Sequence, residues 1–511
     1  FIAPIADMLF RSVENSIVPE TIPRTVAALE TWDGTSGEVP DEEVFRATFF
    51  DLFLAAEAKE HTRLGSRLNY EASGMSSLFR SSGRELDDIG EVHLDALEEI
   101  SEDWDEAAYW STLMAPAAGE AADTALGDRA RARLDALTDE DYEGTSDFAP
   151  AQRISDLLPR TAEAYTDFAL FTELVDGDSI AEEEPWEAVH SALVMDLENE
   201  TIRDAAAAYD GPGGELLRET AAQAEGLPPV DMKEGFIAAD EDWGTVEPWE
   251  VIQQYSGHYT TGYFLSAVDM ENTPEGVEMK PENEQIYLFL FWRTLLLSVT
   301  ITFTCLLLGY PIAYLLANLP LRISNLLLIL VLLPFWTSLL VRTSSWIVIL
   351  QNQGVLNDTL VAMGLVADDN RLDMMFNATG TIVAMTHILL PFMILPLYSV
   401  MKTINPSYVR AAKSLGATDW TAFWRVYFPQ SIPGIGAGAI LVFILAIGYY
   451  ITPELVGGTS GIFISNRIAY HISSSLNWGL AAALGVILLG AVLILYWAYD
   501  RIVGIDNVKL G

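Results

Sequence analysis

Cysteine is nearly missing from this 511-residue chain, Cys305 being the only one. That excludes a disulfide framework and a cysteine zinc cluster. Basic residues are scarce as well: 28 Lys+Arg face 72 Asp+Glu, a net charge of −44. A surface so acidic repels phosphate, which disfavours a nucleic-acid partner. No Gly-x4-Gly-Lys-Ser/Thr phosphate loop and no His-Glu-x-x-His metal pair occurs in the sequence. Charge itself is missing from five stretches: Thr294–Leu321, Ile323–Val341, Ile382–Met401, Ile432–Ile451 and Leu480–Ala498. Roughly 20 apolar residues cross the hydrocarbon core as a helix, because lipid offers no partners to an open backbone. Five such stretches in one half of a chain are too many for the buried helices of a soluble core. The expected environment of that half is a lipid bilayer, with spans near 294–319, 323–345, 381–401, 432–453 and 478–499.

The acidity has a location. Residues 1–284 carry 64 acidic and 17 basic side chains, a net −47, whereas 285–511 carry 8 and 11, a net +3. The chain therefore joins an acidic, water-compatible half to a nearly neutral hydrophobic one. Loop charge orients the second half. One side of the expected spans holds Arg322, Lys402, Arg410, Lys413, Arg425, Arg501 and Lys509 against Asp419, Asp500 and Asp506. The other side holds Asp358, Asp368, Asp369, Asp373 and Glu454, with Arg293, Arg342, Arg371 and Arg467. Lys/Arg excess marks the cytoplasmic face. The 402–425 loop is thus expected in the cytoplasm and the acidic half outside, in a multi-pass protein of the cytoplasmic membrane.

That loop carries the most specific pattern. Val409-Arg410-Ala411-Ala412-Lys413-Ser414-Leu415-Gly416-Ala417-Thr418-Asp419-Trp420 leads to Phe423-Trp424-Arg425-Val426-Tyr427-Phe428-Pro429. Ala411, Ala412 and Leu415 form a small apolar helical face, suited to close approach by another surface. Gly416 can take the positive φ that ends a helix, and Phe423, Trp424, Tyr427 and Phe428 supply an aromatic patch. By these residues alone, a helix lying on the membrane surface fits as well.

The spacing resembles the cytoplasmic loop of ABC-transporter permeases, whose pattern is E-A-A, three residues, G, nine residues, I-x-L-P. Here Ala411-Ala412 precedes Gly416 by three residues, and nine more lead to Val426-Tyr427-Phe428-Pro429; Arg410 departs from the acidic position. Leu308-Gly309-Tyr310-Pro311, Leu333-Pro334-Phe335-Trp336, Leu389-Leu390-Pro391-Phe392, Asn477-Trp478-Gly479 and Tyr496-Trp497 are similar to segments of the spermidine/putrescine-type permeases. The resemblance covers about residues 286–505. It implies a loop at 405–431 that docks on a separate ATPase, with Arg410, Ala411, Ala412, Leu415, Gly416, Ala417, Val426, Phe428 and Pro429 at the contact. It further implies a second permease subunit, an extracytoplasmic solute-binding protein, ATP and Mg²⁺ held by the ATPase, and no cofactor or catalysis in this chain. Family members have six spans. Residues 1–13, an apolar run broken by Pro4 and Asp7, fit either a mature end left by signal cleavage or the exit of a truncated first span, and the resemblance favours the second.

The expected fold is all-α: a polytopic helical bundle of five complete spans with a large α-helical extracytoplasmic insertion at 14–284. The insertion shows helical periodicity at Phe45, Phe49, Leu52 and Ala56, and again at Leu157, Leu158, Thr161, Ala162, Tyr165 and Phe168. Gly34–Pro40, Gly211–Gly214 and Pro228–Pro229 break its helices. Ile22-Pro23-Arg24-Thr25 and Leu158-Pro159-Arg160-Thr161 echo each other, too briefly to establish a duplication. The acidic clusters Glu98-Glu99, Glu182–Glu184 and Asp240–Asp242 lack the spacing of a calcium loop and read as solvated helix faces. The acidity favours solubility in a salty exterior, or the steering of a cationic substrate or basic partner.

Ionisable residues inside a bilayer are functional candidates by default. His387 lies four residues before Pro391 in an otherwise apolar span, and Arg342 and Glu454 sit at span ends. With Trp336, Tyr398 and Tyr449, whose rings can face an organic cation, His387 and Arg342 make up the candidate translocation pathway; packing and interfacial anchoring is the plainer role for each. Two rival functions fit the pattern less well. An ion-driven carrier needs no docking loop, and a membrane-anchored sensor should carry a cytoplasmic signalling domain.

Overall fold

The computed structural model describes residues 2–138, 142, 144–273 and 276–503. Asp506 and Lys509, part of the charge pattern above, lie outside the described residues. The chain divides into two compact units, one of them Glu14–Thr260, the other combining the residues up to Val13 with those from Thr261 onward.

The described residues of the Glu14–Thr260 unit form helices joined by loops, with no β-strand. Its longer helices are Glu42–Glu57, Met75–Glu98, Thr124–Thr138, Pro159–Phe171 and Glu187–Glu198. Trp104, Trp110, Trp243, Trp249, Tyr165, Phe45 and Phe79 are fully buried and make the heart of one continuous core. Helix starts are chemically marked: Asp41 accepts from Val44 N, Asn199 from Thr201 N and Asp231 from Glu234 N. Such caps satisfy N–H groups that the helix leaves without partners. Buried charge is paired, Arg24 reaching Asp51 and Glu163 and Arg67 reaching Glu71.

In the other unit, Gly262–Ala267 packs on the last helix, where Gly479 leaves room for the ring of Tyr263. A two-stranded antiparallel hairpin follows, Met270–Thr273 with Gly276–Met279. Asp269, buried and at φ 57°, accepts from the backbone N–H groups of Ile286, Tyr287 and Leu288 at 2.7–3.0 Å. A carboxylate there completes the donors of the next helix and matches its dipole.

That helix, α1 (Tyr287–Asn318), is the first of four long enough and apolar enough to cross a membrane. The others are α4 (Ala378–Thr403), the run Asp419–Ile447, whose last part is α6 (Phe428–Ile447), and α7, which spans Trp478–Val503. The expected span at 323–345 is not one straight helix. It consists of α2 (Leu321–Leu332), a 3-10 turn Leu333–Trp336 and α3 (Leu339–Leu350), and the chain bends by 97° at the break. Pro334 and the Ser338 side chain, which accepts from Val341 N and starts α3 afresh, account for the break. Among the described residues this unit thus has four helices long and apolar enough to cross a membrane, or up to five if the bent pair is one span.

Helices α1, α4 and α6 form the centre of this unit. Gly434 and Gly438, four apart on α6, let its backbone approach Val400 and Met393 of α4, where a Cβ would meet atoms at 3.0 Å or less. Small residues at this spacing are how helices pack closely in lipid, where no hydrophobic effect drives them together. Cys305 is a buried filler, its Sγ 3.5 Å from the Thr386 carbonyl.

Candidate functional site

The loop after α4 is built residue by residue as a helical elbow. Asn405 accepts from Ser407 N, Pro406 occupies the first helical position, and α5 runs from Pro406 to Ser414. Gly416 ends it at φ 91°, with Ala417 N bonded to Ala412 O and Gly416 N to Lys413 O. These two bonds define a Schellman stop, which glycine enters without a Cβ penalty. Thr418 then accepts from Thr421 N and starts the short helix Asp419–Ala422, which continues through the π-turn Phe423–Tyr427 into α6. Lys413 and Asp419 form an ion pair across the elbow.

The expected aromatic patch divides into two groups. Phe423, Tyr427 and Phe428 turn inward onto Tyr310 and Tyr314 of α1, with centroids 5.0–6.2 Å apart, and Tyr310 Oη lies 2.9 Å from Ser431 Oγ. Trp420 and Trp424 face outward, joined by Tyr408 and by Leu415, which is 90% exposed. Of the expected contact residues, Arg410, Ala411, Leu415, Gly416 and Pro429 are exposed, while Ala412, Ala417, Val426 and Phe428 are half-buried. Lys402, Arg410, Lys413 and Arg425 add exposed positive charge. The outer face of the elbow is therefore apolar, basic and uncovered, with its inner aromatic rings anchored on α1.

The second group of candidates is only partly brought together. Arg342 on α3 lies within electrostatic reach of both His387 on α4 and Tyr449. Trp346, one turn beyond Arg342, donates Nε1 to His387 Nδ1 at 3.1 Å, with ring centroids 5.2 Å apart. That bond fixes the neutral tautomer with its proton on Nε2. The sequence reading missed Trp346, one of 13 tryptophans, though its spacing of four from Arg342 puts both on one helix face. Tyr398 lies eleven residues along α4 from His387, about 16 Å by helical rise. Trp336 is 81% exposed in the 3-10 turn. Glu454, also exposed, accepts from Asn466 Nδ2 at 2.6 Å.

Helices apolar enough to cross a membrane, polar side chains clustered among them and an elbow loop with an exposed face fit a transport permease. Residues 309–503 match the family described as binding-protein-dependent transport system inner membrane component. The chain is 35% identical over 222 residues to the spermidine/putrescine transport system permease protein PotB of Salmonella typhimurium, covering 43% of this chain and 77% of that one. To PotB of Escherichia coli it is 34% identical over 222 residues, covering 43% and 80%. To the inner membrane ABC transporter permease protein YdcU of Escherichia coli it is 31% identical over 264 residues, covering 49% and 82%. A crystal structure of a bacterial ABC transporter that imports the acidic polysaccharide alginate aligns with a TM-score of 0.36 at 20% identity, over 44% of this chain and 80% of that one. The chain belongs to this family of inner-membrane components, and it is a transmembrane permease subunit of an ABC importer.

If the Arg342–Trp346–His387–Tyr449 cluster lies on the substrate's path, replacing Trp346 with Phe should lower uptake severalfold. An aromatic ring is kept, smaller than indole, while His387 loses its orienting donor. Unchanged uptake kinetics at unchanged membrane abundance would retire the cluster as part of the pathway.

Proposed function

We propose that the chain imports a polyamine-like organic cation, using ATP hydrolysed by a separate subunit. The observation that carries this reading is the 35% identity to a spermidine/putrescine permease across the hydrophobic half. In this reading the 405–431 elbow is cytoplasmic and docks on the ATPase, which binds ATP and Mg²⁺. Arg410, Ala411, Ala412, Leu415, Gly416 and Ala417 form the docking face, and Val426, Phe428 and Pro429 join it to α6. Arg410, where relatives of this pattern carry an acidic residue, would meet an acidic side chain on its own ATPase. A second permease, or a copy of this one, completes the bundle. An extracytoplasmic binding protein delivers the solute, and the acidic 14–284 segment stays outside with it. Arg342, His387 and Tyr449, with Trp336 and Tyr398 further along, line the route.

Arg342 bears on substrate charge. A fixed cation beside the route opposes a polycation, so the polyamine reading requires the solute to pass His387 and the aromatic rings on the side away from the guanidinium. Uptake of labelled putrescine and spermidine by whole cells with and without the gene tests the proposal. Gene-dependent accumulation that competes with unlabelled polyamine is expected. Accumulation independent of the gene would reject polyamine as substrate.

A further inference from the structure

Several anchoring contacts of the Glu14–Thr260 unit occur twice. Ile22 and Leu158 share an uncommon backbone conformation, φ −130° ψ 57° and φ −126° ψ 70°, each followed by a proline that opens a helix. Thr25 N and Oγ1 both donate to Asp51 Oδ2, at 2.7 and 2.9 Å; Thr161 N and Oγ1 both donate to Asp196 Oδ2, at 2.9 and 2.7 Å. Trp110 Nε1 donates to Trp104 O, and Trp249 Nε1 donates to Trp243 O. The paired indoles sit 5.1 Å apart at 55° in the first case and 4.8 Å apart at 50° in the second. The sequence carries the matching echo Glu102-Asp103-Trp104 with Trp110 and Glu241-Asp242-Trp243 with Trp249.

The contacts between the two sets are reciprocal. Trp104 Nε1 donates to Thr220 Oγ1 at 2.9 Å, and Trp243 Nε1 donates to Ser82 Oγ at 2.7 Å. The Trp249 ring meets Phe45 edge-on at 4.7 Å, and the Trp110 ring meets His190 edge-on at 5.3 Å. Glu14 pairs with Tyr259 in an isolated antiparallel bridge, and Ala151 pairs with Ala122 in another. Beside them Asn15 N bonds His258 O, and Gln152 N bonds Ala121 O, both at 2.9 Å. In every pair, position i of the first half touches j of the second while the equivalent of i in the second half touches the equivalent of j in the first. That exchange is the signature of a two-fold, self-complementary interface.

We infer that residues 14–122 and 151–259 are two copies of one helical module, packed about an internal two-fold axis. The surface each half shows the other is a self-recognition surface, and the partner it fits is a second copy of the same module. In this chain both copies are covalently joined, so the site is filled from within. The equivalence does not depend on what the permease transports.

Cysteine pairs in the full-length protein test it. Glu14→Cys with Tyr259→Cys, and Ala122→Cys with Ala151→Cys, are the two bridge pairs. With buried Cys305 retained and single-cysteine variants as controls, both pairs should form an intramolecular disulfide under copper-phenanthroline, to comparable yield, seen as a gel shift and by peptide mass. Crosslinking of one pair without the other, or of the same-half pair 14 with 122 in their place, overturns the inference. A second measurement does not rely on introduced cysteine. Ser82→Ala and Thr220→Ala each strand one indole N–H, and both should lower the melting temperature by equal amounts; a loss in one variant with none in the other also overturns it.

Discussion

Leu415→Asp should abolish transport while leaving the protein folded and in the membrane. Leu415 is 90% exposed beyond the end of α5, so its replacement removes no packing within this chain. If the elbow docks on an ATPase as proposed, that leucine becomes buried at the contact. A leucine moved from water to an apolar pocket contributes about 1.5–3 kcal/mol, or roughly 10- to 150-fold in a binding constant. An aspartate in the same pocket adds the desolvation of a carboxylate. The expected result is more than a tenfold fall in uptake at constant membrane abundance, with loss of the ATPase from the purified complex. Gly416→Val is the companion variant. A Cβ there meets nothing within 4 Å, yet φ is 91°, so the damage is confined to the backbone turn that sets the angle between α5 and the following helix. Full transport in both variants would remove the elbow from the coupling path.

How far the sequence displayed these features depended on their range along the chain. The elbow was legible because every element of it is local: a capping Asn405, Pro406, a glycine at the stop and a second cap at Thr418 within fourteen residues. The division of its aromatic rings was not, since whether Phe423 or Trp424 turns inward is decided by Tyr310 and Tyr314, more than a hundred residues upstream. The charge-free stretch at 323–341 marked an apolar segment correctly but hid its 97° bend, because hydropathy averages over Pro334 and Ser338 without seeing that one ends a helix and the other starts one. His387 and Arg342 drew attention through their cost in lipid; Trp346, which fixes the ring of His387, has no such cost and emerged only from the helix packing. The echo of Pro23-Arg24-Thr25 at Pro159-Arg160-Thr161 was visible but short. Its counterpart around Trp104 and Trp243 stands at a different offset, because loops of unequal length intervene, and only the reciprocal contacts join the two.

Asp196→Asn should remove the loss of protection that rising pH brings to the helices around Thr161. Asp196 is 2% exposed and accepts three hydrogen bonds, two from Thr161 and one from Arg160 N. Burial outweighs those bonds and pushes its carboxyl from 3.8 up to about 6. Asp51, in the equivalent place beside Thr25, is pushed up to about 6 for the same reason, against the opposing charge of Arg24. A folded-state value above the unfolded one means that the native state binds the proton more tightly. The stabilisation is complete below the unfolded value and disappears as pH rises through about 6. Between those limits the shift is worth about 3 kcal/mol per carboxyl. Asparagine keeps an acceptor for Thr161 but has no proton to lose, so its effect is independent of pH in this range. The wild-type protein should therefore lose about a hundredfold in protection relative to the variant between pH 4 and pH 8. Hydrogen exchange of peptides within Pro159–Phe171 and Glu187–Glu198, corrected for intrinsic rates, reads this locally and does not require the whole chain to unfold in one step. His93 and His190, which burial holds below the usual imidazole range, are present in both proteins and cancel in the ratio. A ratio that stays flat across pH would mean that Asp196 is ionised at no cost, through bonds from Thr161 and Arg160 strong enough to offset its burial.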